Sequence, residues 1–189
     1  MYIIITDIFG HTEAVKDFAD TLNAPYAIVE PYNNEQRSFN SESEAYCYFM
    51  EHVGIEQYAM SITNELKALS HPHVIIAFSA GAGALWSVSD QLDDKNIRLA
   101  LLFYGSQIRH YADIKPAFPS HLVFPENEDH FSIPSLIARL AFIPQVTLDV
   151  CEYKHGFMNS QSTNFNSVGY NKYNQRIRNI VSEHTWLNE

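Results

Sequence analysis

The stretch HPHVIIAFSAGAGALW, residues 71–86, decides how the chain is read. A β-branched run, His73 to Phe78, ends on Ser79 and breaks at once into small residues. A strand that turns sharply into a helix exposes the side chain at the turn and aims the next backbone N–H at the same spot. It also forces two backbones together, so the flanking positions must be small. Ala77, two residues before Ser79, and Gly81, two after it, meet that demand. The pattern is A-x-S-x-G where such nucleophile turns usually read G-x-S-x-G. On these five residues alone, a nucleophile turn and an ordinary strand-to-helix turn stand level.

Outward from this stretch, strand and helix patterns alternate. Tyr2 to Thr6 and Tyr26 to Glu30 read as strands around a helix over Thr12 to Leu22, with Thr12 as N-cap and Asn23 as stop. Ser43 to Leu69 reads as helix in two pieces hinged near Gly54. A helix over Gly81 to Leu92 follows the central strand. Strands are expected at Ile97 to Tyr104, His121 to Phe124 and Val146 to Tyr153, with helices at Ser132 to Phe142 and Tyr170 to Trp186. Alternation of this kind implies an α/β fold: parallel strands, right-handed crossovers and helices on both faces, a three-layer sandwich. No repeat or inter-domain linker interrupts residues 1–189, which are expected to form one domain.

Composition narrows the function. The chain has 189 residues, 46% hydrophobic, and a net charge of −10. That suits one core and argues against a nucleic-acid partner, which wants a basic face. The apolar run at the start is only Tyr2 to Ile5, too short for a membrane span and lacking the basic flank of a signal peptide. Cys47 and Cys151 are expected to be unpaired thiols. We therefore expect a cytoplasmic protein.

In parallel α/β sheets ligands bind beyond the carboxyl ends of the strands. The segments there are TDIFGHT, FSAGAG, YGSQIRH, PENEDHF and YKHGFMN. They supply a serine, an acid and a histidine in the chain order of α/β-hydrolases. A serine needs a base to take its proton, and a histidine needs a partner that fixes its tautomer and stabilises its cation. Ser79 and His155, in KHGF, fit the first two roles, although His155, one of nine histidines in the chain, also reads as a surface residue. For the acid, Asp129 competes with Glu126, Glu128 and Asp149. His71 and His73 flank Pro72 and suggest a metal pair, but no acidic or thiol partner stands nearby at ligand spacing. The glycines after Ser79 do not form a nucleotide-binding G-x-G-x-x-G.

At these residues the chain resembles the dienelactone hydrolase family of α/β-hydrolases. Four segments carry the resemblance: IIITDIFGHTEAVKDFADTLNAPYAIVEPY, VIIAFSAGAGALW, LVFPENEDHFSIP and YKHGFMN. It implies Ser79 as nucleophile, His155 as base and Asp129, in the Asp-His-Phe run, as orienting acid. It implies an oxyanion hole from the N–H groups of Ile8 and Ala80. Asp7 would stand where the family has an acid that holds the resting nucleophile, and Phe9, His11 and Phe78 would join it around the substrate. His11 reads equally well as a solvated helix-start residue.

The family proper carries cysteine where this chain has Ser79, which points to a serine esterase-like relative cleaving a small ester, lactone or thioester. No metal or organic cofactor is required. A shortened sheet of about six strands is expected, with a bared edge that a second copy could cover as a homodimer. Residues 31–69 are the expected lid or pocket wall, where Tyr32, Tyr46, Phe49 and Tyr58 offer either an aromatic lining or helix packing. The rival reading is a non-catalytic binding protein built on the same fold.

Overall fold

The structure, a computed structural model, describes residues 1–69, 73–92 and 94–183. His71, His184 and Trp186 lie outside the described residues. Six strands form one sheet: β1 Tyr2–Ile5, β2 Tyr26–Val29, β3 His73–Phe78, β4 Ile97–Phe103, β5 Ser120–Pro125 and β6 Val146–Cys151. Their order is β2-β1-β3-β4-β5-β6 and every pairing is parallel. The chain first moves from β1 to one side and then returns to add β3 on the other. This makes the gap between β1 and β3 the topological switch point, where an open α/β sheet places its ligand.

The helices are α1 Glu13–Thr21, α2 Glu42–His52, α3 Gly54–Lys67, α4 Ser79–Ser87, α5 Ile133–Leu140 and α6 Ser167–Glu183. Successive strand residues point to opposite faces, and the core divides accordingly. Ile3, Ile5, Ile75, Ala77, Ala100 and Leu102 pack with Phe49, Tyr58, Ile62, Leu85 and Leu136 from α2 to α5. Tyr2, Ile4, Ile76, Phe78, Leu101 and Phe103 pack with Val15, Phe18, Tyr173 and Ile177 from α1 and α6. The three-layer α/β arrangement is thus present, with helices on both faces.

Local signals explain most boundaries. Thr12 Oγ1 accepts from Val15 N (3.4 Å) as N-cap of α1, and Asn23 closes that helix in the left-handed region at φ +51°. Gly54 (φ +70°) makes the break between α2 and α3. Ser132 Oγ caps α5, accepting from Ser135 N. Both cysteines are free, Cys47 exposed and Cys151 buried. No helix among the described residues is long and apolar enough to cross a membrane.

Candidate active site

The helix after β3 begins at Ser79, not at Gly81 as its spacing suggests. Phe78 is still extended (φ −122°, ψ 136°), and Ser79 takes φ +48°, left-handed backbone that a non-glycine residue enters at a cost of about 1–3 kcal/mol. The reversal within one residue throws the Ser79 side chain up from the sheet. It also drives α4 against β1. A Cβ on Gly81 would lie 2.3 Å from the Thr6 carbonyl oxygen and 2.8 Å from Ile5 Cγ2, so only glycine fits there. Ala77 is fully buried within the sheet's α2–α5 face, where its methyl is accommodated.

Ser79 Oγ lies 2.8 Å from His155 Nε2. His155 stands in the loop after β6, followed by Gly156 at φ +84°, and its carbonyl accepts from Asn164 Nδ2 (3.0 Å). On the far side of the ring, Nδ1 lies 2.8 Å from Glu128 Oε1 and 3.1 Å from Ser106 Oγ. The Ser106 hydroxyl donates to the same Glu128 oxygen, also at 2.8 Å. Burial pushes the Glu128 carboxyl up, but the bond from His155 leads a group of opposing effects that outweigh it. With the His155 charge, the Ser106 hydroxyl and Arg109, it holds the carboxyl below the ordinary glutamate range.

The acid beside the histidine is therefore Glu128, and the expectation of Asp129 is corrected. Glu128 and Phe131 pair across a tight antiparallel bridge, which puts Asp129 and His130 at the exposed tip of the turn. Glu128 points inward while Asp129 points to solvent. Glu126 is exposed as well, and Asp149 binds Tyr173 and Arg176 (each 2.7 Å) away from the relay.

Ile8, Phe9, Asp7 and Ala80 all line a cavity of about 430 Å³ above Ser79. Ala80 is the second residue of α4, where no intrahelical carbonyl can take its N–H. In the loop after β1 the neighbouring groups are committed. Phe9 N donates to Asp7 Oδ1 (3.0 Å), Gly10 N to the Asp7 carbonyl (3.2 Å), and the Tyr32 hydroxyl to the Ile8 carbonyl (2.5 Å). This turn holds the Ile8 peptide at the cavity rim.

Three further expectations change. Asp7 does not hold the resting serine: its oxygens receive Phe9 N and Asn159 Nδ2 (2.7 Å), so it pins the loop instead. Burial pushes its carboxyl above the usual range despite those bonds. His11 is half-buried at the start of α1 and stays off the cavity, because Gly10 (φ +73°) turns the chain away. Phe78 faces the opposite side of the sheet from the α2–α5 layer, packing edge-on against Phe18 (5.2 Å between centroids) and stacked on Phe103 (5.4 Å).

Residues 31–69 supply wall as well as packing. Tyr46, Phe49 and Met50 on α2, with Ile55 on α3, line the cavity, and Phe131 with the Arg109 guanidinium over its ring (5.0 Å) lines it too. Tyr46 and Met50 are each 47% exposed, one helical turn apart. Tyr58 and Tyr32 are packing residues; the buried Tyr58 hydroxyl bonds the Thr6 and Val29 carbonyls (each 3.1 Å). Glu42 closes one side, receiving the Ser162 (2.8 Å) and Thr163 (2.9 Å) hydroxyls. Among the described residues no group of three or more His, Cys, Asp or Glu could hold a metal ion.

No family model matches the chain. An uncharacterised protein of Bacillus subtilis (strain 168), YczH, is 27% identical over 186 residues, covering 95% of this chain and 91% of that protein. Several solved structures match its shape. A candidate dienelactone hydrolase from Klebsiella pneumoniae gives a TM-score of 0.71 at 13% identity, over 96% of this chain and 86% of that one. The mouse alpha/beta hydrolase domain-containing protein 10 gives 0.66 at 9%, over 97% and 90%. A dienelactone hydrolase-like promiscuous phosphotriesterase from metagenomic libraries gives 0.64 at 12%, over 96% and 85%. At these identities the likeness speaks for the fold, and the chain has the α/β-hydrolase fold.

Proposed function

We propose that the protein is a serine hydrolase that cleaves an ester, lactone or thioester of a small molecule through an acyl-enzyme. The observation that carries this reading is the unbroken relay from Ser79 Oγ through both ring nitrogens of His155 to Glu128, each link 2.8 Å, at the floor of an open cavity. With Nδ1–H donating to Glu128, the imidazole is the tautomer whose Nε2 lone pair accepts the serine proton. Ser79 then attacks the substrate carbonyl as His155 takes that proton. The developing oxyanion sits between the N–H groups of Ala80 and Ile8, each such donor being worth about 2.7–4 kcal/mol in hydrolases of this kind. His155 returns the proton to the leaving group and activates water for the second half-reaction. The carboxylate of Glu128 stabilises the imidazolium in both. The aromatic and aliphatic wall of α2 supports a substrate with an apolar portion of modest size.

The rival, an inert binding protein on this fold, would keep the cavity and lose nothing on removal of the hydroxyl. Turnover of p-nitrophenyl acetate by wild type and Ser79→Ala separates the two. The hydrolase reading expects activity that disappears in a variant with an unchanged circular dichroism spectrum. Equal turnover in both would refute it.

A further inference from the structure

Glutamate reaches the same place as aspartate through one more rotatable bond, so its carboxylate needs something to hold it. The loop after β4 provides that. Tyr104, buried and not glycine, sits at φ +41°, and Ser106 N bonds back to its carbonyl (2.9 Å). Arg109 Nη1 donates to the Ser106 carbonyl at 2.6 Å. The short 3-10 turn Ser106–His110 packs on α4 so closely that a Cβ on Gly83 would lie 2.7 Å from Gln107 Cβ. A strained residue, an arginine clamp and a close glycine contact thus fix the backbone from which Ser106 projects.

We propose that Ser106 is a positioning residue of the relay, its hydroxyl clamping Glu128 Oε1 so that the carboxylate meets His155 Nδ1. The inference rests on the hydrolase reading above. The Ser106 proton goes to Oε1 at 2.8 Å, and the Ser106 lone pairs face Nδ1–H at 3.1 Å. The ring proton is thereby shared between two acceptors, which fixes both the tautomer and the orientation of the imidazole. Groups bearing charge toward Glu128 come from two elements: His155 from the loop after β6 and Arg109 from the 3-10 turn.

The test compares Ser106→Ala and Ser106→Thr, each in wild type and in Glu128→Gln. Ser106→Ala is expected to lower kcat about tenfold, the worth of one hydrogen bond to a charged group, with KM unchanged. It is also expected to move the Glu128 carboxyl titration upward, read by ¹³C NMR of carboxyl-labelled glutamate, because a bond that favours the carboxylate is gone. Ser106→Thr keeps the hydroxyl and is expected to restore the rate. In the Glu128→Gln background the alanine change should alter kcat less than twofold. An unmoved Glu128 titration, or an equal loss in that background, overturns the inference. A wild-type chain that hydrolyses no ester would sink the proposed function, while the NMR titration still decides the clamp.

Discussion

Replacing Glu128 by glutamine leaves the shape of the relay and removes its charge. Glu128 Oε1 lies 2.8 Å from Nδ1, and the Glu128 side chain is only 13% exposed. At an effective dielectric near 20, a carboxylate and an imidazolium whose charge centres lie about 3–4 Å apart attract by about 4–6 kcal/mol. That energy is realised only when His155 has taken the serine proton, so it belongs to the transition state and not to the ground state. At 1.36 kcal/mol per decade the loss in kcat is about 10³–10⁴-fold, with KM little changed. Asp129→Asn removes an equal charge one residue away at the solvent-exposed tip and should change kcat less than threefold. Initial rates on p-nitrophenyl acetate, with thermal melts to verify folding, measure both. An Asp129→Asn loss as large as that of Glu128→Gln, or a Glu128→Gln loss below tenfold, would refute the assignment of the acid.

Gly81→Ala forces a methyl to within 2.3 Å of the Thr6 carbonyl, a backbone atom that cannot swing aside; overpacking of this kind should cost about 1–3 kcal/mol or more, seen as a lower midpoint in guanidinium chloride, and an unchanged midpoint would refute the close approach. His121 is buried on β5 against Thr147 and held down to about 4, chiefly by burial and only partly offset by Asp149. The unfolded chain then binds more protons between about pH 4 and pH 6.5, so stability is complete above that window and falls within it by about 3 kcal/mol on acidification. His121→Gln should flatten that part of the stability profile, and an equally steep decline in the variant would contradict it. Tyr46→Ala with Met50→Ala strips apolar wall from the cavity; kcat/KM for p-nitrophenyl hexanoate should fall about 5–30-fold relative to the acetate, from about 1–2 kcal/mol of lost contact, and an unaltered ratio would dismiss the wall as a substrate surface.

How much of this could be seen in the sequence varied with the physical origin of each feature. The sharp strand-to-helix turn at Ser79 was legible because close backbone packing leaves few residue choices at Ala77 and Gly81. The cap Thr12 and the hinge Gly54 were legible because they answer to local backbone demands. The start of α4 was misplaced by two residues, since nothing in the letters marks a serine that accepts φ +48°. Phe78 was expected at the substrate from the resemblance, yet it faces the side of the sheet opposite the α2–α5 layer, packed on Phe18 and Phe103. The acid was missed for a related reason: the 128–131 turn turns Glu128 inward and Asp129 outward, and only the bridge between Glu128 and Phe131 reveals it. Ser106 stood in YGSQIRH at a strand end, but its meaning comes from a neighbour 22 positions along the chain. Asn159, which binds Asp7 across 152 positions, carried no local signal at all.

The central claim is that Ser79 is a nucleophile activated by His155, and a fluorophosphonate probe tests it most directly. Peptide mapping after labelling of the folded protein should find the adduct on Ser79 alone, and His155→Ala should abolish it. A folded chain that takes no label, carries it on another residue, or labels equally well without the imidazole would contradict the account.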